Sequence, residues 1–352
     1  MSKKEKIIIV VAIAVTALSG LLHYTHVNAV LGFVVTAAAL GCLARIVGDA
    51  TEQLGSRMGP GATGILQSAL GNLPELFVCI FALRAGLDTV VQAALVGSIL
   101  GNSVLTFGFA ILLGGIKNGR QYFKSEPPKM NATLMILSFA SLALPTLIHR
   151  LHTPAATHIK ALDIFVAIVL LLLFAASTYF FLKTDESLIA DDTAQKRESS
   201  WSLTLTLIVL SAAGLGAAFV SDWFVEALKP AMGVLGVSDT FAGLVIVAVA
   251  GNAIENIVGI QLAMRNQPDY AVSVILNSSL QIALGLFPLL VLLSYFLGGA
   301  ILSFVLTPML LASLALAVIV SAFIVFDGES IWLEGLALIG LYCLIAAAFW
   351  WG

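Results

Sequence analysis

Apolar runs long enough to cross a bilayer dominate this chain and leave it few alternatives. Ile7 to Leu22 and Ala161 to Leu182 are two of them, and a membrane helix needs roughly 20 mostly apolar residues. Inside a bilayer every backbone N–H and C=O must be paired within the chain, which restricts spanning segments to helices or closed barrels. Composition agrees. Of 352 residues 60% are hydrophobic and only 11% charged, with a mean hydropathy of +1.04, whereas soluble domains carry about 25% charged residues. The sequence predicts an all-α integral membrane protein embedded in a lipid bilayer. Met1 to Lys6 is basic, but no small-residue cleavage site follows, so the first apolar run reads as a membrane helix rather than a signal peptide. The net charge of -3 and the lack of a basic cluster give no ground for a nucleic-acid partner. Cys42, Cys79 and Cys343 stand singly, without metal-ligand or redox spacing.

Charges, Pro and Gly divide the apolar sequence into eleven segments, at about 7–22, 28–56, 61–86, 89–117, 131–149, 161–183, 201–228, 240–265, 270–297, 300–326 and 330–351. With the N-terminus inside, 13 of the 17 Lys and Arg residues fall in inner connections, and only Arg84, Arg150, Lys160 and Lys229 fall outside. This predicts an inner N-terminus and an outer C-terminus. One connection is markedly polar: 184–200 holds Asp185, Glu186, Asp191, Asp192 and Glu198. It separates a first helix (1–24) and one set of five helices (25–183) from a second set of five (201–352).

The two sets repeat each other. Gly71-Asn72-Leu73-Pro74-Glu75 returns 180 positions later as Gly251-Asn252-Ala253-Ile254-Glu255, and the same interval pairs Ser98 with Ser278. One G-N-x-x-E recurring by chance is plausible, but a second polar motif at the same spacing is much less so. Because five is odd, the second set enters the membrane from the opposite side. An inverted-topology pair of this kind places binding sites near the midplane and exposes them alternately to either side, which is the architecture of a secondary transporter.

Asn72 and Glu75, three residues apart, share one helix face, as do Asn252 and Glu255. A carboxylate within a span costs ~2.5–3.5 kcal/mol on insertion scales. Glu75 and Glu255 are the only acids deep within the expected spans, and no Lys or Arg lies at comparable depth. One reading is a pair of permanently protonated carboxyls. The other is that the missing cation is the cargo. Ca²⁺ takes 6–8 oxygen ligands, and two carboxylates match its charge; Asn72, Asn252, Ser98, Ser278 and main-chain carbonyls are candidate supporting ligands. Pro74 is expected to free a carbonyl near Leu70, and Gly71 and Gly251 to permit close approach or unwinding. Proximity and desolvation raise carboxyl pKa values, and metal binding then expels protons. Protons and Ca²⁺ compete for such a site, so it would carry one or the other.

On these motifs the chain resembles the Ca²⁺/cation antiporter superfamily, and within it the Ca²⁺/H⁺ exchangers, over nearly its whole length. The resemblance implies that Glu75 and Glu255 bind cation and proton beside Asn72 and Asn252, and that Ser278 and Gln281 belong to the polar stretch of the second repeat. It implies no cofactor, with Ca²⁺ and H⁺ as partners. Asn256 stands where the family often has His, so no proton relay carries over there. Leu73-Pro74-Glu75-Leu76 is closer to the Na⁺/Ca²⁺ exchangers, which keeps Na⁺ coupling open, but the later acid usual in those proteins is missing from 270–297.

The connector acids Asp185, Glu186, Asp191 and Asp192 read as a solvated loop or a regulatory cation sensor. His149, His152 and His158 share one outer loop, without a metal-site pattern. A membrane enzyme is disfavoured: no H-E-x-x-H occurs, and all five His are expected in outer connections. A channel can share the same ligands, whereas inverted repeats favour alternating access. A short chain without an organelle-targeting extension suggests a prokaryotic cell membrane exporting Ca²⁺. Self-association is compatible with such a chain but has no signature in it.

Overall fold

A computed structural model of the chain describes residues 3–25, 28–57, 66, 70–123, 126–188 and 201–351. The main elements are α1 (Lys3–Thr25), α2 (Ala29–Gly55), α3 (Leu73–Arg84), α4 (Asp88–Leu100), α5 (Phe107–Asn118), α6 (Glu126–Arg150), α7 (Ile159–Leu188), α8 (Leu203–Leu235), α9 (Ala248–Met264), α10 (Pro268–Gln281), α11 (Phe287–Ser294), α12 (Pro308–Phe326) and α13 (Trp332–Phe349). Single π-helical stretches at Gly101–Thr106 and Ile282–Leu286 join α4 to α5 and α10 to α11, and a third precedes α9 at Ala242–Val247. The strands β1 (Gln121–Tyr122) and β2 (Glu329–Ser330) pair antiparallel.

Among the described residues, nine helices are long and apolar enough to cross a membrane, and a tenth results if the bent pair Asp239–Asn252 and Asn256–Met264 forms one span. This is a multi-pass membrane chain. The expected segment 61–86 lies partly outside the described residues, as do Asp191 and Asp192. Asp185 and Glu186 fall on α7, which continues past the expected boundary at 183 into the connector. His23 also departs from expectation, since it lies within α1 rather than in a connection.

Element bounds recur at the interval of the motifs. Adding 180 to the end of α3 (84) gives the end of α9 (264), and adding it to the start of α4 (88) gives the start of α10 (268). The end of the first π stretch (106), the start of α5 (107) and the end of α2 (55) map onto 286, 287 and 235, where the matching elements end or begin.

The largest departure is at 300–307, expected as helix. These residues are extended, with Leu302, Phe304 and Leu306 buried and Ser303 and Val305 less so. Alternate burial is the period of a strand, and Pro308 disfavours helix in the residue before it. Thr307 then caps α12 by accepting from Leu310 N at 3.3 Å. Side chains pair the exposed backbone groups. Phe304 N donates to Asp163 Oδ1 (3.3 Å), Thr146 Oγ1 donates to Phe304 O (3.0 Å) and accepts from Leu306 N (2.9 Å), and Gln92 Nε2 donates to Ser303 O (2.9 Å). Asp163, only 2% exposed, is thus a structural acid that its position near a segment end did not reveal.

The chain forms two compact units, one of residues 1–82 and 172–236, the other of 83–171 and 237–352. In the first, α2 packs along α8, with Phe33 stacked on Phe224 at 4.9 Å. Arg57 donates to the Trp201 carbonyl, and Trp201 Nε1 donates to Glu5 Oε2 at 3.0 Å. In the second, Arg120 pairs with Glu329 beside the β1–β2 ladder (3.1 Å), and Ser238 Oγ donates to Phe349 O at 2.6 Å.

Close backbone approach fixes α4 in the second unit. A Cβ at Gly97 would collide with the Leu244 backbone, and one at Gly243 would collide with the Val90 carbonyl. Contacts through backbone cannot relax by a rotamer change, so Gly97→Ala should destabilise by about 1–3 kcal/mol. Gly101→Ala, where a Cβ meets nothing within 4 Å, should be close to neutral. Thermal unfolding of both variants in detergent checks the contrast; equal melting temperatures would refute the packing argument.

Candidate cation-binding site

The two copies of the repeated motif both sit at interruptions of a helix, made in different ways. In the first copy Gly71 and Asn72 form a turn, and α3 begins at Leu73. Its first helical bond is Leu76 N to Asn72 O at 2.9 Å. Pro74 therefore occupies the second helical position, where its missing N–H has no intrahelical partner to lose. Pro74 thus stands in the first turn after the break, and without an N–H it offers no donor to the carbonyl of Leu70. Glu75 is the third residue of α3 and is 4% exposed. Of the expected Asn72–Glu75 face, only Glu75 lies on α3, and Asn72 precedes it in the turn.

In the second copy Gly251, Asn252 and Glu255 lie on α9, and the helix axis turns by 63° between Asn252 and Asn256. Asn252 Nδ2 donates to Ala248 O at 3.0 Å. A side chain inserted into the i to i−4 ladder is a recognised cause of such bends. The Glu255 side chain lies outside the described residues. Asn256 Oδ1 is buried and has no hydrogen-bond donor among the described residues.

The serines expected beside the acids are engaged within the second unit. Asn252 Nδ2 also donates to Ser98 Oγ at 2.9 Å, which joins the second motif to the serine of the first repeat. Ser278 accepts instead from Asn102 Nδ2, again at 2.9 Å. Asn102 is a polar residue that the repeated motif does not include. It is 1% exposed on the π-helical stretch just after α4. Its signal was a second G-N pair, Gly101-Asn102, but without an acid three residues on it did not match the repeated motif. Ser98 is 1% and Ser278 7% exposed, while Gln281 ends α10 and is half-buried. Asn72 and Gly71 are half-buried in the first unit. Among the described residues no three His, Cys, Asp or Glu side chains converge as a metal centre.

Comparison with known proteins decides the family. The sequence pattern of the sodium/calcium exchanger protein family matches residues 28–183 and 205–351. The chain belongs to this family. Among relatives of this exchanger-family chain, a Ca²⁺/H⁺ antiporter of Aphanothece halophytica is 33% identical, covering 93% of this chain and 92% of that one. The Ca²⁺/H⁺ antiporter ChaA of Bacillus subtilis is also 33% identical, covering 97% of each chain. The structure of native YfkE superposes with a TM-score of 0.83 at 30% identity, over 97% of this chain and 99% of that one. An H⁺/Ca²⁺ exchanger CAX structure shares the fold, with a TM-score of 0.76 at 16% identity over 99% of this chain and 92% of that one.

The buried amide–hydroxyl pairs make a direct prediction for this family member. Asn102→Ala leaves the Ser278 hydroxyl buried without its donor and should cost about 1–3 kcal/mol. Urea or thermal unfolding measures it, and an unchanged midpoint would mean that water replaces the amide at no loss.

Proposed function

We propose that the chain is a secondary active transporter that exchanges cytoplasmic Ca²⁺ for external H⁺ at one site shared by Glu75 and Glu255. The observation that carries this reading is the doubled G-N-x-x-E motif, with a helix interruption at each copy, in a member of the exchanger family. A broken helix frees backbone carbonyls and presents a helix terminus, which is how transporters line an ion site with irregular backbone. Glu75 and Glu255 would carry the charge of the ion. Asn72, Asn252, Ser98, Ser278 and Gln281 would supply or position neutral oxygens, with Gly71, Pro74 and Gly251 shaping the breaks. Asn256 Oδ1, buried and without a donor, is a further candidate oxygen next to Glu255.

The recurrence of element bounds at 180 residues supports an inverted pair of five-helix repeats preceded by one extra helix. Contacts between connections support the expected orientation. Arg120 with Glu329, and Glu5 with Trp201, join segments assigned to the inner side; Ser238 with Phe349, and Leu83 O with Ala300 N, join segments assigned to the outer side. The N-terminus is then cytoplasmic and the C-terminus outside. Relatives from Aphanothece, Synechocystis and Bacillus fit a prokaryotic cell membrane. Proton coupling is the reading preferred over Na⁺ because relatives at 33% identity are Ca²⁺/H⁺ antiporters. Within the cycle, protons hold the carboxyls neutral in the unloaded form, and Ca²⁺ displaces them. The acids at 185, 186, 191 and 192 are a candidate regulatory stretch.

Reconstituted protein should move ⁴⁵Ca²⁺ into liposomes along an imposed pH gradient without Na⁺. Glu75→Gln and Glu255→Gln should each lower that flux by at least about 100-fold, the range expected when a charged ligand is lost. Apparent Ca²⁺ affinity should fall as pH falls, because protons then occupy the shared carboxylates. Flux that ignores pH but requires a Na⁺ gradient moves the chain to the sodium-coupled branch; flux dissipating with no coupled gradient indicates a channel.

A further inference from the structure

A second constellation lies away from the repeated motifs, within the first unit. His23 on α1 and Glu226 on α8 face each other with Nδ1 and Oε2 3.6 Å apart. The imidazole is held in place: it stacks on Trp223 (centroids 5.4 Å apart, 22° between planes) and meets the Tyr24 ring edge-on at 4.9 Å. A cavity of about 310 Å³ opens beside the pair, lined also by Asn28, Thr36 and Gly32. A Cβ at Gly32 would meet nothing within 4 Å, so the space beside it is open.

The separation discriminates between two roles. A charge-assisted N–H···O bond spans about 2.7–2.9 Å, well short of the distance found. Two ligands of one tetrahedral Zn²⁺ stand about 3.4 Å apart, given Zn–N of about 2.0–2.1 Å and Zn–O of about 2.0–2.2 Å. An imidazole protonated on one ring nitrogen presents a lone pair on the other, which is the form that binds a metal. A nitrogen ligand selects a borderline transition ion over Ca²⁺. At roughly 30 Å³ per molecule, the cavity has room for the waters that complete the coordination.

We propose that His23 and Glu226 form a water-completed site for a divalent transition ion of the Zn²⁺ class, which when filled ties α1 to α8. Side-chain exposures of 18% for His23 and 60% for Glu226 leave the pair open at the surface, near the ends of α1 and of the expected span 201–228 that the sequence assigns to the outer side. It is independent of the proposed transport reaction, since neither residue belongs to the repeated motifs.

The test is Zn²⁺ titration by calorimetry and by melting temperature on the purified full chain. Zn²⁺ should bind and raise the melting temperature by roughly 2–5 °C at saturation. His23→Gln and Glu226→Gln should each weaken binding by at least about 10-fold, while Glu75→Gln should leave it intact. A variant with His149, His152 and His158 all changed to Gln should also bind as the parent does. If His23→Gln does not fold, Glu226→Gln alone carries the test. The proposal is overturned by no Zn²⁺ binding to the parent chain. It is overturned equally by binding that survives both pair variants, or by binding lost in Glu75→Gln or the triple His variant, which would place the ion elsewhere.

Discussion

The structure depends on one constraint: at membrane depth no water pairs with a polar group, so each such group must find its partner inside the chain. An unpaired buried group costs several kcal/mol in hydrocarbon, comparable with the whole stability of a typical domain. Polar residues in this chain therefore gather where backbone is irregular. The extended segment 300–307 shows the principle. Its amides and carbonyls are paired by Asp163, Thr146 and Gln92 from three other elements. A buried acid is there a consequence of buried irregular backbone that needs acceptors, and it need not signal transport.

That comparison sharpens what is special about Glu75. Asp163 accepts from a backbone amide and lies beside a segment that needs acceptors. Glu75 instead opens α3, directly after a turn of Gly71 and Asn72, with the helix terminus behind it. In the proposed reading a cation meets the carboxyl at that helix start. A fixed basic partner would compete with that cation, and the expected spans carry none at this depth.

Much of this was legible in the sequence because hydropathy and spacing are averaged over many residues. The all-helical, multi-pass character and the 180-residue interval follow from patterns longer than one turn, whereas the eleven expected segments compare with nine or ten membrane-long helices among the described residues. What was hidden depends on single atoms or on competing periods. The stretch 300–307 is as apolar as a helix, and only its alternation at Leu302, Phe304 and Leu306 marks it as extended. Asn102 escaped because its partner Ser278 lies 176 residues away, and the π-helical turn that carries it has no composition of its own.

The two repeats are alike in spacing but not in detail, and the differences follow from chemistry. In the first, Pro74 commits the chain to a helix start, so the break is a turn and Glu75 is fixed relative to it. In the second, Ile254 stands at that place, and the break is a bend held by an Asn252 side chain that bonds both Ala248 and Ser98. A turn locked by proline has few alternatives, because φ is fixed at the ring. A bend maintained by hydrogen bonds can open by exchanging them, at about 0.5–1.5 kcal/mol net for each. The second copy is therefore the more adaptable of the two. A cation that draws Asn252 away from Ser98 would change the bend of α9, whereas the same cation at Glu75 would meet a preformed helix end.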